Sequence, residues 1–294
     1  MYTIIIYLCY FIGGFILTYA YKQYLDYKDF IEKDFLSTKS FYLSKQDTEN
    51  FLEEKFLLTQ EDANKKWDIV YVLEKDINDR PLELQYSLRS LQNFNYNRVW
   101  FCGGQPKNLI PDKSIPMTQK GADSWGKVNS SIKEICQNPE VSENFWLFND
   151  DFFVMRPHSQ QPAYYDHDLA FRILTLEDKT GYSNYSRMLR KCLFTLKINN
   201  LPTKNYAVHM PMLINKKKAL EVIEKFPDVK NFKNLYGNCV SIEATQSEDV
   251  KYSDNSREID TSSLFLSTEE RSFGFGMVGK YIQQQFPNAS RFEK

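Results

Sequence analysis

Asn149, Asp150 and Asp151 stand together between two apolar runs, in FWLFNDDFFVMRP from Phe145 to Pro157. An unpaired carboxylate is costly to bury, so acids in such surroundings are exposed, paired or bound to metal. Two acids and an amide at a strand end suit a hard divalent cation, Mg or Mn. Mg²⁺ takes one or two carboxylates and completes its shell with phosphate oxygens and water. Asp150 and Asp151 are therefore candidate metal ligands facing a diphosphate, with Asn149 orienting them. The triplet is also good turn chemistry, and the matching flanks FWLF and FFVM read as a hairpin around it.

Other residue types fit around such a centre. His209, in NYAVHMPMLI, is a candidate general base, because a neutral imidazole can accept a hydroxyl proton near neutral pH. A lone His in an apolar segment is otherwise a structural residue. Arg89 offers a bidentate fork for phosphate, or a helix-surface charge. Lys127 and Asn129 precede the acidic triplet on a helix, within reach of a ligand bound there or on a solvated face. Arg271, with Glu269 and Glu270 ahead of Gly274 and Gly276, marks an acceptor loop or a polar connection. His158 and His167 carry weaker signals. Tyr164-Tyr165-Asp166-His167-Asp168 looks like a metal cluster, yet neighbours in one loop rarely converge on one ion.

The whole chain narrows the classes. Its 294 residues allow one large domain or two small ones, with a net charge of −1 and no basic field for nucleic acid. Five scattered cysteines form no CxxC pair, which argues against a zinc knuckle or disulfide framework and fits a reduced, intracellular setting. Gly103-Gly104 is not a GxGxxG fingerprint, and neither GxxxxGK[ST] nor GxSxG occurs.

The positioning elements read as follows. WDIVYVL (67–73) is a buried strand, LELQYSLRSLQNF a helix with Leu84, Leu88 and Leu91 in step, and RVWFCGG (98–104) a second strand. Strand, helix, strand implies a parallel βαβ unit. DSWGKVNSSIKEICQNP reads as a helix and FWLF (145–148) as a strand ending at the aspartates, where open α/β sheets bind ligands. Downstream, AFRILTL (170–176) suits a strand and SRMLRKCLFTLKIN a helix or long strand. NYAVHMPMLI reads as strand and turn, KKKALEVIEKF as a helix, Lys251 to Ser263 as loop, SLFLS as a late strand and GMVGKYIQQQF as a closing helix.

At the N-terminus, Thr3 to Tyr21 is 19 residues without a charge, long enough to cross a bilayer, with Tyr2, Tyr19 and Tyr21 near its ends. A cleaved signal peptide or a buried core helix would be the other readings. No Lys or Arg precedes the run, whereas Lys22, Lys28, Lys33 and Lys39 follow it, which places the bulk of the chain in the cytoplasm. The expected organisation is a transmembrane anchor (1–22), a helical stalk or cap (23–66) and a catalytic domain (67–294). The domain divides into a half that carries the acidic triplet (67–157) and a second half (158–294).

WDIVYVL, LELQYSLRSLQNF, NRVWFCGGQPKNL and FWLFNDDFFVMRP together resemble the Stealth family of sugar-phosphate transferases and capsule-type glycosyltransferases. The likeness is strongest over residues 67 to 157, where an ELRYSLRSL-like helix precedes a strand ending in NDD-F. It extends more loosely to AVHMP, similar to the family's His-x-Pro element, and to FLSTEERSF. Two segments depart from it: VYVLEKD stands where the family reads close to VYTWVDG, and SWGKVNSSI replaces its Phe-Asn-Ser segment. The resemblance implies a GT-A-like α/β fold with a central, mostly parallel sheet, a nucleotide-sugar donor, a divalent metal and a glycan or polysaccharide acceptor. It gives Asp150 and Asp151 the metal, Asp151, His209 and Arg271 the chemistry, and Arg89, Lys127, Asn129 and Asn149 the substrate.

The expected function is a membrane-tethered glycosyltransferase acting in surface or capsular polysaccharide synthesis. Sugar-1-phosphate transfer is the close alternative. A metal-dependent phosphoesterase and a non-catalytic glycan-binding protein are the rivals from other classes.

Overall fold

The computed structural model describes residues 58–74, 77, 82–116, 124–157, 160–240, 242–254 and 257–294. The expected membrane helix, most of the stalk, and His158 lie outside the described residues. Among those described, no helix is long and apolar enough to cross a membrane.

The chain begins with α1 (Gln60–Ala63), β1 (Asp68–Leu73), α2 (Leu82–Ser90, continued by a 3-10 turn over Leu91–Asn93), β2 (Val99–Gly103) and β3 (Lys113–Ile115). Next come α3 (Ser124–Gln137), β4 (Asn144–Phe148), β5 (Phe152–Val154), β6 (Ala163–Tyr165), α4 (Leu169–Thr180) and α5 (Asn184–Ile198). The remainder is β7 (Met212–Asn215), α6 (Lys216–Lys225), α7 (Phe232–Cys239), β8 (Ala244–Gln246), β9 (Lys251–Tyr252), β10 (Phe265–Thr268), α8 (Glu270–Phe275) and α9 (Met277–Gln285). The domain reaches back past Trp67, since Leu58 and Ala63 are buried in the main core.

The main sheet runs β3-β2-β1-β4-β7. The first four strands are parallel, and β7 closes the sheet antiparallel to β4. The expected fold class, α/β with a mostly parallel central sheet, is thus present. Its strands are continuous apolar runs, as sheets covered on both faces require, and all five residues of β2 and of β4 are buried. At the amino end of β1, Asp68 accepts from Arg98 Nη2 (2.9 Å), Trp100 Nε1 (2.9 Å) and Ser142 N (3.1 Å). This ties three strands together at the end away from the acids. Strand order reverses between β1 and β4, so a crevice opens at their carboxyl ends.

The expected hairpin does not form. β4 pairs with β1 and β7, whereas β5 leaves the main sheet and pairs antiparallel with β10 in a second sheet, ordered β5-β10-β9. Alternation along this second sheet points Phe152, Val154 and Phe265 into the main core. Phe153 and Leu266 face a smaller core with Met155, Tyr252, Phe273, Val278, Ile282 and Phe286.

AFRILTL is helical rather than extended. Asp168 caps α4 by accepting from Ala170 N, and Ile173 and Glu177 recur on its buried side. SRMLRKCLFTLKIN lies within α5, opened by a Ser183/Ser186 capping box. The stretch around Arg271 is the short helix α8 rather than a loop. Lys251-Tyr252 forms strand β9 within the segment expected to be all loop.

Candidate functional site

The acidic triplet is positioned from beneath by α2. Ser87 Oγ donates to Phe152 O at 2.5 Å, Ser90 Oγ accepts from Val154 N at 2.9 Å, and Asn93 Nδ2 donates to Val154 O at 2.9 Å. β5 is an edge strand whose outer groups would otherwise be unpaired. Side chains at positions 87, 90 and 93 share one helical face and replace the missing neighbour. The co-occurrence of YSLRSL and NDDFF therefore has a physical basis: the helix holds the strand that follows the acids. Tyr71 of β1 donates to Ser87 Oγ at 2.9 Å, extending the chain of bonds into the main sheet.

Gly103 and Gly104 shape the neighbouring β2 end. Gly103 has φ 108°, a left-handed conformation that favours glycine. A Cβ on Gly104 would lie 2.2 Å from the Glu74 carbonyl oxygen just beyond β1.

The two aspartates point to different surroundings. Asn149 and Asp150 line a cleft of about 420 Å³ beside Val72 of β1 and Leu147 of β4. α3 contributes Val128, α5 Tyr185 and Met188, and the start of α7 Phe232 and Lys233. Burial pushes the Asp150 carboxyl up to about 6, with the Asp151 charge adding to it. Asp151 is instead buried against the second sheet. Its Oδ2 accepts from Lys251 Nζ (2.6 Å) and Ser267 Oγ (2.7 Å), and Lys251 also donates to Thr268 O (2.5 Å). Asp151 is thus an anchored counter-charge and is not among the cleft residues, contrary to its expected place beside Asp150.

A third acid was missed in the sequence. Glu83 of α2 accepts from Thr268 Oγ1 at 2.5 Å. Burial, together with the Asp150 and Asp151 charges, raises its carboxyl to about 7. Its position one turn ahead of Ser87 was the available signal.

His209 lines the same cleft, on an irregular stretch just ahead of β7. Its ring Nδ1 donates to Asp249 at 2.8 Å (Oδ1) and 3.0 Å (Oδ2), and its backbone N donates to Oδ1 at 3.2 Å. Burial alone would raise the Asp249 carboxyl. The side-chain and backbone hydrogen bonds of His209, with Arg172 nearby, outweigh it and hold the group at about 2. Lys233 Nζ donates to Val208 O (2.6 Å) and Met210 O (2.8 Å), the carbonyls flanking His209. Burial lowers this ammonium to about 8 against the pull of Asp249 and Asp151. Asp249 and Lys233 carry no spacing signal that ties them to His209.

The remaining expected residues are dispersed. Arg89 is committed elsewhere: Nε and Nη2 bond Glu293 at 2.8 and 2.6 Å, and Nη1 bonds the carbonyls of Phe286 and Pro287. Its fork recognises a carboxylate of this chain, as expected chemically, but at the C-terminus rather than the cleft. Lys127 is exposed, and Asn129 Nδ2 donates to Val229 O at 3.1 Å. These two flank Val128, the residue that faces the cleft. Arg271 is exposed on α8 and is not among the cleft residues. His167 stacks on Phe171 at 4.7 Å, while Asp166 accepts from Asn205 and Asp168 serves as a cap. That stretch is not a metal cluster.

Among the described residues, no group of three or more His, Cys, Asp and Glu is arranged to hold a metal. Among the described residues that line the cleft, Asp150 is the one carboxylate, and a cation there would offset the burial that raises it. One carboxylate with phosphate oxygens and water is a sufficient set for Mg²⁺.

No family model matches the chain, and no curated protein matches it. Among solved structures, an active-site mutant of LgtC is 11% identical and covers 76% of this chain and 98% of its own, with TM-score 0.41. Galactosyltransferase LgtC in complex with donor and acceptor sugar analogues is 11% identical over 76% of this chain and 96% of its own, with TM-score 0.39. Mouse xyloside xylosyltransferase 1, apo form, is 9% identical over 78% of this chain and 96% of its own, with TM-score 0.33.

Proposed function

We propose that this chain is a GT-A-like, nucleotide-sugar-dependent transferase. The observation that carries the reading is a carboxylate-bound imidazole, His209 with Asp249, lining one cleft with Asp150 at the carboxyl ends of β1 and β4. Such a crevice is where open α/β sheets take nucleotides. Its walls, Val72, Val128, Leu147, Met188 and Phe232, are apolar enough to bury a base or sugar face.

In this reading His209 Nε2 takes the proton of an acceptor hydroxyl as its oxygen attacks the activated centre. Asp150 would hold a divalent cation, which when bound neutralises charge on the leaving phosphate. Lys233 lies in the same wall, with its ammonium spent on the two backbone carbonyls that flank His209. Attack at the anomeric carbon transfers the sugar and releases a nucleoside diphosphate. Attack at phosphorus transfers sugar-1-phosphate and releases a monophosphate. We favour sugar transfer because VYVLEKD stands where the Stealth family reads close to VYTWVDG.

The test is incubation with UDP- and GDP-activated hexoses, glycan acceptors and Mg²⁺ or Mn²⁺, followed by identification of the nucleotide released. A diphosphate supports glycosyl transfer and a monophosphate supports the Stealth-type reaction. No release with any donor would overturn the transferase reading. Anchoring through Thr3–Tyr21 would place the reaction at a membrane, in keeping with surface polysaccharide synthesis. Deleting residues 1–22 should then release the protein from membranes.

A further inference from the structure

We propose that Asp249 and Lys233 are positioning residues that together present one ring nitrogen of His209, Nε2, to the cleft. This rests on the reading of His209 as the base and adds to it the device that makes His209 a base of fixed direction.

The geometry begins with the backbone. Residues 205–211 form no helix or strand, so nothing regular fixes the orientation of His209. Lys233 supplies that constraint from the second position of α7, because its Nζ holds the carbonyls on both sides of the histidine at 2.6 and 2.8 Å. Asp249 holds the residue between them, accepting from the backbone N–H and from Nδ1 through the same carboxylate. His209 is therefore gripped at its amide, its ring and both flanking carbonyls.

The tautomer follows. An ionised carboxylate only accepts hydrogen bonds. Asp249 is held ionised across the working pH range, and Arg172 is a further positive charge near it. Nδ1 must therefore carry the proton in that bond. The proton-free nitrogen of the neutral ring is then Nε2, the end the carboxylate does not occupy. A free imidazole divides its proton between both nitrogens, so only part of its population would present a lone pair in the useful direction.

The alternative is that Asp249 and Lys233 merely brace a loop. The two differ in what the variants read. The full chain, labelled with ¹⁵N-histidine, contains only three histidines, so His209→Gln assigns the His209 ring signals directly. The wild type is expected to show the Nδ1–H form. Asp249→Ala should revert towards the Nε2–H form that free histidine prefers, while Asp249→Glu retains Nδ1–H. Lys233→Met keeps the tautomer but loosens the segment.

Turnover of an activated hexose that the wild type accepts should fall at least about tenfold in kcat for Asp249→Ala and Lys233→Met, with donor KM unchanged, a part of what a general base contributes. Asp249→Asn, nearly the same shape, provides the same comparison if the alanine variant does not fold. Retention of Nδ1–H without Asp249, or unchanged kcat, would overturn the proposal. Full turnover in His209→Gln would overturn the base reading itself, whereas the ring spectrum still judges the clamp. The two failures are thus distinguishable.

Discussion

His209 donates through Nδ1 to Asp249, 40 positions downstream, at 2.8 Å, and the same carboxylate accepts from the His209 backbone N–H. His209 and Asp150 line one cleft, and each can be altered without removing a core side chain. That separation makes the site testable.

His209→Gln should lower turnover by about 10²–10⁴-fold, the usual share of a general base. Donor binding, followed by calorimetry with a nucleoside diphosphate, should stay within about twofold of wild type. A variant that binds poorly but turns over normally would place His209 in recognition instead.

Asp150→Asn and Asp151→Asn should have opposite signatures. Loss of the cleft carboxylate should reduce turnover about 10²-fold or more with no loss of melting temperature, because a repulsive charge is removed. Asp151→Asn leaves Lys251 without its counter-charge and should cost about 1–3 kcal/mol of stability. Denaturant unfolding and turnover, run on both variants, would refute this assignment if the two behave alike.

Glu83 provides a pH test. Its folded-state value of about 7 lies above its ordinary 4.5, so its contribution is fully present below pH 4.5 and is lost as pH rises through 7. Glu83→Gln removes that loss. Its melting temperature relative to wild type should rise by about 2–4 °C between pH 4.5 and pH 8, the response to roughly 1 kcal/mol in a domain of this size. A constant difference across that range would count against the cluster.

Arg89→Ala should affect stability rather than substrate. Burial would raise the Glu293 carboxyl, but the Arg89 hydrogen bonds outweigh it and hold Glu293 at about 2, from an ordinary 4.5. The stability from this pair is present above pH 4.5 and is lost as pH falls through 2. At neutral pH the variant should be about 1–3 kcal/mol less stable with unchanged donor KM. A raised KM would restore Arg89 to the substrate role.

Much of the scaffold was legible because its signals are local. β1, β2 and β4 are short continuous apolar runs, and α6 and α9 have clear helical spacing. α4 was misread because AFRILTL is apolar and partly β-branched, while the decisive feature was Asp168 one residue before the helix. The hairpin reading of NDD failed because turn chemistry does not say which strand β5 will join. His209 and Asp150 were legible as residue types. Their partners were not, since Asp249 lies 40 positions away and Lys251 100 positions from Asp151. Pairing at such separations is a product of tertiary packing and leaves no periodicity to read.

The handover of the chain from β4 to β5 has a consequence for how the protein opens. Residues 149–151 lead from β4, in the main core, to β5, whose Phe153 packs in the smaller hydrophobic unit while Phe152 and Val154 stay with the larger. Local opening releases such units separately, the less extensive packing first. The smaller core is therefore expected to set how long the acidic wall of the cleft stays formed, although most side chains around the cleft belong to the larger. Amide exchange at Asp150 and Asp151 should follow that of Phe153 and Leu266, and outpace that of Trp146 on β4 and Val70 on the neighbouring β1.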